Sequence, residues 1–196
     1  MFTDQFSYDY MQISMGIFFN CIFLVKIHKM RTLFFLFLFC SSSLVIGQDV
    51  ATIQKNIDQT VWKPFQQAYE ALDSEALNAT YADEVVRVTP EGIDTQNEFK
   101  RRNIASLKAS KDSNTSIKLD FWFDSRHTNQ DTSYEVGFYK IGVTTNKDTQ
   151  YIYGQFHIVL KKINEQWKII QDWDTLTING QSIGVTDFDK KEAIKL

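Results

Sequence analysis

This chain of 196 residues has only two prolines, two cysteines, three histidines and eight glycines. Each shortage closes off a class of reading. Both cysteines, Cys21 and Cys40, fall in the first 47 residues, so residues 48–196 offer no thiol for a disulfide or for thiolate chemistry. That part must hold together by packing alone. Past residue 47 the histidines are His127 and His157, and neither has a carboxylate or cysteine at ligand spacing, which argues against a zinc site. No cofactor is implied. No Pro/Gly/Ser-rich linker and no internal repeat divides the chain. An excess of positive charge is missing too. Taking the three basic and two acidic residues before Gln48 from the totals of 21 and 24 leaves 18 and 22. A net charge near −4 leaves no electrostatic footprint for nucleic acid.

Apolar runs are present, but short. Residues 33–40 (LFFLFLFC) follow Lys26, Lys29 and Arg31 and precede Ser41, Ser42 and Ser43. A basic stretch, a short apolar core and small residues near a cut describe a secretory signal peptide. A membrane-spanning helix needs about 20 apolar residues, more than this core has. Val45 and Gly47 would occupy −3 and −1 of a cut before Gln48. A lipoprotein signal on Cys40 is the rival reading; Phe39 is bulky where that signal needs a small residue. Residues 1–29 hold a second apolar run, GIFFNCIFLV (16–25), upstream of Met30. Either translation starts at Met30, or the two runs form a membrane-anchored hairpin. The resulting division is 1–29 as miscalled start or leader, 30–47 as signal peptide, and 48–196 as one domain. Such a chain is secreted or periplasmic, and touches a membrane only through the leader. The remaining 149 residues suffice for one domain with a real core.

Helices come first. Ile53, Ile57, Val61, Phe65, Ala68 and Leu72 recur in steps of three and four and build one apolar stripe. Pro64 should kink or break it. Asp73 and Ser74 are N-cap types ahead of a short helix over 75–81. Val85 to Thr89 is β-branched and predicts a strand, closed by Pro90 and Gly92. Thr95 and Glu98 match a capping box for a helix over 95–111. From Ser116 the period becomes two: Ile117, Leu119, Phe121 and Phe123 alternate with Lys118, Asp120, Trp122 and Asp124. Three further strands follow over 133–144, 150–162 and 166–177. Long antiparallel strands twist and curl, and helices on one face make an α+β domain.

The order of these elements, with FQQAYEALDSEAL (65–77), YADEVVRVTPEG (81–92) and GQFHIVLKKINEQWKIIQDWDT (154–175), resembles the nuclear transport factor 2-like superfamily, and within it the SnoaL-like and ketosteroid-isomerase-like proteins. The resemblance spans Val50 to Thr177 and is that of an exported bacterial member. It implies a cone: a strongly curved antiparallel sheet wrapped around N-terminal helices, with a cavity open at one end. Enzymes, binding proteins and structural proteins share that fold, so fold alone assigns no job. Isomerases of the superfamily carry an aspartate directly before the proline of the YADEVVRVTP segment, as general base. Here that residue is Thr89, which cannot take a proton at neutral pH. Their oxyanion donors, a tyrosine and a protonated aspartate, find no match, so steroid isomerisation is not expected.

The remaining candidates are few. Asp172 and Asp174, two apart, share a strand face and could form an acid–base pair; a solvated strand end is the plainer reading. Gln171 and Trp173 share the opposite face with Trp167 and Ile169 and are expected at the pocket wall. His157 could serve as a base, but sits opposite the apolar face of Ile152, Phe156, Ile158 and Leu160. Trp62, Phe65, Tyr69, Tyr81 and Thr89, with Tyr139, are expected to line the cone. Trp122, an aromatic on a polar strand face, suggests a homodimer through the sheet. Two functions stay open. One is binding of a small apolar or amphipathic molecule without catalysis. The other is a metal-independent isomerase, cyclase, dehydratase or hydrolase with Asp172, Asp174 or His157 as acid–base groups.

Overall fold

The computed structural model describes residues 49–196; the leader and start-site readings for residues 1–47 lie outside the described residues. Helix α1 (Val50–Ile57) runs into a π-helical turn (Asp58–Trp62) and on into α2 (Lys63–Glu70). Pro64 therefore does not break the helix. It sits in the first turn of α2, directly after a widened turn that accommodates a residue lacking an N–H. Ile53, Ile57, Val61 and Ala68 of the expected stripe are buried. Asp73 caps α3 (Ser74–Ala79) by accepting from the Ala76 N–H at 3.0 Å. Strand β1 (Tyr81–Thr89) begins four residues earlier than its β-branched run, and a short β2 (Gly92–Asp94) pairs back on it.

Helix α4 (Glu98–Asp112) starts later than the Thr95 signal implied. Asp94 takes over the capping role, accepting from Gln96 N–H at 2.9 Å and Phe99 N–H at 2.7 Å. Four long strands then form a meander: β3 (Ser116–Thr128), β4 (Thr132–Thr145), β5 (Asp148–Ile163) and β6 (Gln166–Thr175). The β5–β6 turn consists of Asn164 and Glu165, both with positive φ, the conformation of a tight hairpin turn. The curved six-stranded sheet has the order β2-β1-β6-β5-β4-β3. It is mixed rather than purely antiparallel, because β1 runs parallel to β6. These two strands are joined by most of the domain, not by a hairpin, so no turn forces them antiparallel.

The helices pack on the inner face of this sheet. Ile57, Val61, Trp62, Leu119, Phe121, Phe156, Ile158, Leu160, Trp167 and Ile169 form the main core. Trp62 is anchored there by an unusual partner. Its indole N–H donates to Glu135 at 2.7 Å, and Glu135 is 0% exposed. Ser133 donates to the same carboxylate at 2.8 Å and Arg126 at 3.0 Å; Arg126 also reaches Asp58 at 2.8 Å.

The outer face is covered at one end by the chain itself. After the small hairpin β7 (Thr177–Ile178) and β8 (Gln181–Ser182), helix α5 (Val185–Phe188) docks on the sheet. Trp122 is buried against Phe138, Ile183 and Phe188, and its N–H donates to the Phe188 carbonyl at 2.7 Å. The ring that suggested a dimer face is thus satisfied within the chain. Ile194 N–H bonds the Phe121 carbonyl at 2.8 Å, so the tail also covers the edge strand β3.

Burial pushes the Glu135 carboxyl above its ordinary value of 4.5, although Arg126 pulls it back. A group raised in the folded state contributes stability below its unfolded value and loses it as pH rises through the folded one. Glu135→Gln keeps the shape and removes the titration. Wild type should therefore lose stability relative to this variant as pH climbs through and above 4.5, read by urea unfolding across a pH series.

Candidate functional site

A cavity of about 170 Å³ lies between the inner face of the sheet and the helices. Trp62, Phe65 and Tyr69 follow one another at helical spacing, so all three turn the same way and reach it. Tyr81 enters from the start of β1; Phe99 and Asn103, four apart on α4, enter from the other side. Phe121, Tyr139, Ile141, Phe156 and Ile158 form the floor from β3, β4 and β5. The rings pack on one another: Phe65 and Tyr69 lie parallel with centroids 6.3 Å apart, and Tyr81 meets Phe99 edge-on at 5.0 Å. Of the residues expected to line the cone, Trp62, Phe65, Tyr69, Tyr81 and Tyr139 do so.

Thr89 does not. It lies at the end of β1, where its hydroxyl accepts the Glu91 N–H at 3.3 Å. Gln171 and Trp173 are also displaced from the wall. Leu160 and Val159, adjacent on β5, pair with Ile169 and Gln171 on β6, leaving Ile170 as an unpaired extra residue. This β-bulge reverses the parity of everything after it. Trp167 and Ile169 point inward before it; Asp172 and Asp174 point inward after it, opposite Ile158 and Phe156. Trp173 is left on the outer face, edge-on to His157 with centroids 4.5 Å apart. His157 shares that face, bonded through Nδ1 to the Tyr134 hydroxyl at 2.6 Å, and burial lowers its pKa. It is remote from the cavity lining.

The two aspartates meet a residue that the sequence did not flag. Arg87 lies opposite Asp172 in the parallel β1–β6 ladder. One terminal nitrogen bonds Asp172 Oδ2, and the other donates to Asp174 Oδ2 at 2.5 Å. Tyr81 donates its hydroxyl to the same Asp172 oxygen at 2.8 Å. Asp172 is 4% exposed. Burial works against the Arg87 charge, but Asp172 and Asp174 outweigh it and hold the guanidinium protonated. Burial pushes the Asp174 carboxyl up, with Arg87 opposing. Burial also raises the Tyr69, Tyr81 and Tyr139 hydroxyls, so all three stay neutral. The signal for Arg87 was there in its parity: it stands two residues from the buried Val85, between Val86 and Val88. Among the described residues, no cluster of three or more His, Cys, Asp or Glu side chains has the arrangement to hold a metal.

Comparison with solved structures identifies the architecture. A conserved protein from Planctomyces limnophilus superposes with a TM-score of 0.54 at 17% identity, over 63% of this chain and 96% of its own. A nuclear transport factor 2-like superfamily protein from Salmonella enterica serovar Typhimurium gives 0.51 at 15% identity, over 70% of this chain and 97% of its own. The chain has the nuclear transport factor 2-like fold. A Mycobacterium tuberculosis protein of unknown function shares it, with a TM-score of 0.52 at 11% identity over 69% of this chain and 79% of its own. No protein-family model matches the chain, and a search of curated proteins gives no match. At these identities the likeness carries the fold and no chemistry.

Two details of this nuclear transport factor 2-like cavity can be tested directly. A side chain at Gly154 would begin 2.3 Å from the Tyr139 ring, so only glycine lets Tyr139 lie across its neighbouring strand. Gly154→Ala should cost about 1–3 kcal/mol. Most of that loss should vanish in a Tyr139→Ala background, a coupling read from denaturant midpoints of the four proteins. Arg87→Met leaves Asp172 buried without its cation, at a cost of about 3–5 kcal/mol at neutral pH. The uncompensated carboxylates then bind protons more tightly folded than unfolded, so the deficit should shrink as pH falls through the carboxylate range. Unfolding curves at two pH values check the sign.

Proposed function

We propose that this domain binds a small amphipathic molecule in the cavity, without transforming it. The carrying observation is the division of the lining: aromatic and aliphatic side chains form the body, and Arg87, Asp172 and Asp174 cluster at one end. Such a pocket buries an apolar group while a few fixed polar atoms orient it. Asp172 is a poor base, because its Oδ2 already accepts from Arg87 and Tyr81. The leader-like residues before Gln48 support an exported setting, secreted or periplasmic, for this binding.

A second reading is favoured by one observation. Burial raises the Asp174 carboxyl, and a carboxylate tuned upward beside a neutral tyrosine can shuttle a proton. On that reading Asp174 is the acid–base group of a metal-independent isomerase, cyclase, dehydratase or hydrolase.

A broad screen of small apolar and amphipathic compounds, read by thermal stabilisation, tests binding. A true ligand at a hundredfold its dissociation constant stabilises by about 2.7 kcal/mol. No stabilisation by any compound at millimolar concentration sinks the proposal. Conversion of a hit to product, lost in Asp174→Asn, replaces it with the second reading.

A further inference from the structure

We infer that the cavity selects a cation: an ammonium carried on a compact apolar body, in preference to a carboxylate or a neutral alcohol of the same shape. The inference rests on the reading of the cavity as a binding site and adds the charge of what it holds.

Three features of the lining lead there. The first is the charge balance. Among the described residues, Arg87 is the one cationic side chain in the lining, and it faces two carboxyl groups. With the lining tyrosines neutral, the formal count is one cation against two carboxyl groups.

The second is that Arg87 is already engaged. Its two terminal nitrogens each bond one aspartate, Asp172 and Asp174. An incoming anion would have to approach the guanidinium beside both carboxylates, a costly arrangement at low dielectric. An ammonium meets the opposite situation. Arg87 bonds Oδ2 of each aspartate, and among the described residues neither Oδ1 has a protein partner. A charge-assisted hydrogen bond to such an oxygen is roughly twice as strong as a neutral one.

The third is the wall. The rings of Phe65, Tyr69, Tyr81, Phe99 and Phe121 line the same cavity. Aromatic faces attract cations, more strongly once water is excluded. Asn103, the remaining polar residue of the lining, is neutral.

The test is a matched series on the full-length protein, at constant salt and near neutral pH. Phenethyl, naphthylethyl and indolylethyl bodies each carry an ammonium, an alcohol or a carboxylate at the same position. Binding is measured by calorimetry and thermal shift. The expected result is that, for the body that fits, the ammonium binds at least tenfold tighter than the alcohol, and the carboxylate weakest. Asp174→Asn should shrink the ammonium-to-alcohol ratio severalfold. A carboxylate or alcohol that matches or beats its ammonium overturns the charge selection and leaves the cavity a binding site. No binding by any of the nine compounds at millimolar concentration overturns the binding reading, and the selection with it. Should Asp174→Asn fail to fold, the wild-type ratios alone decide.

Discussion

Ile170 has no partner on β5, and the polar end of the cavity depends on that extra residue. In an unbroken ladder Asp172 and Asp174 would face outward, and Gln171 and Trp173 would face the helices. The bulge shifts the second half of β6 by one residue, and both carboxylates swing into the core side. Strand β1 answers at the same level. Tyr81 pairs with Ile169 and Val86 with Gln171, so residues 82–85 leave the ladder opposite the bulge before Arg87 falls beside Asp172. Two coincident irregularities in a parallel pair thus bring one cation and two anions together. The β1–β6 seam completes the sheet between β2 and the meander, so the polar cluster sits on the joint between the two halves of the fold.

Stability alone does not explain such a cluster. Taking charges out of water is expensive, and a buried ion pair replaced by apolar residues of the same volume often leaves a protein as stable or more so. Arg126, Glu135 and Asp58 raise the same question, but there the network has a structural job. Glu135 holds the Trp62 indole in place, and Trp62 supports Phe121, Phe123 and Phe156 at centroid distances of 5.3 Å. The Arg87 cluster also has a local role, since Tyr81 bonds Asp172. Its position differs, however. It borders open space, whereas the Glu135 carboxylate is wholly enclosed. A charge set kept at the edge of an aromatic cavity is more economically explained by what it contacts in that cavity than by the strands it joins.

Much of this was readable from residue order. Helical spacing gave the stripe through Ile53, Ile57 and Val61; alternation gave the inner faces of β3 and β5, including Leu119, Phe121, Phe156 and Ile158. These patterns are local, and each run is unbroken where it was read. The failures occur where local parity is interrupted or where a distant segment supplies the partner. Ile170 looks like any strand residue, because a bulge is defined by the pairing of two strands and not by its own side chain. Trp122 appeared exposed because the segment that covers it lies more than 60 residues away, as the Trp122–Phe188 bond shows. Glu135 stands among Ser133, Tyr134 and Val136 with nothing to mark it, since its burial follows from Arg126 and Trp62 arriving from other elements. Asp94 took the capping role from Thr95 because its two oxygens could serve two N–H groups at once.

The resemblance of the YADEVVRVTP segment to isomerases of the superfamily implies a base directly before Pro90, at the end of β1. In this chain that end is turned to the loop, and Thr89 is occupied with Glu91. The polar atoms of the cavity are instead two residues earlier on β1 and on the last strand. A general base works best when it stands free and its pKa lies near the working pH. Asp172 is bonded twice, and Asp174 shares its guanidinium, so neither carboxylate stands free. A ligand that brings its own positive charge would add a partner to the carboxylates without removing the one they have, so on the reading proposed above a bound cation is the change this cluster accommodates with least rearrangement.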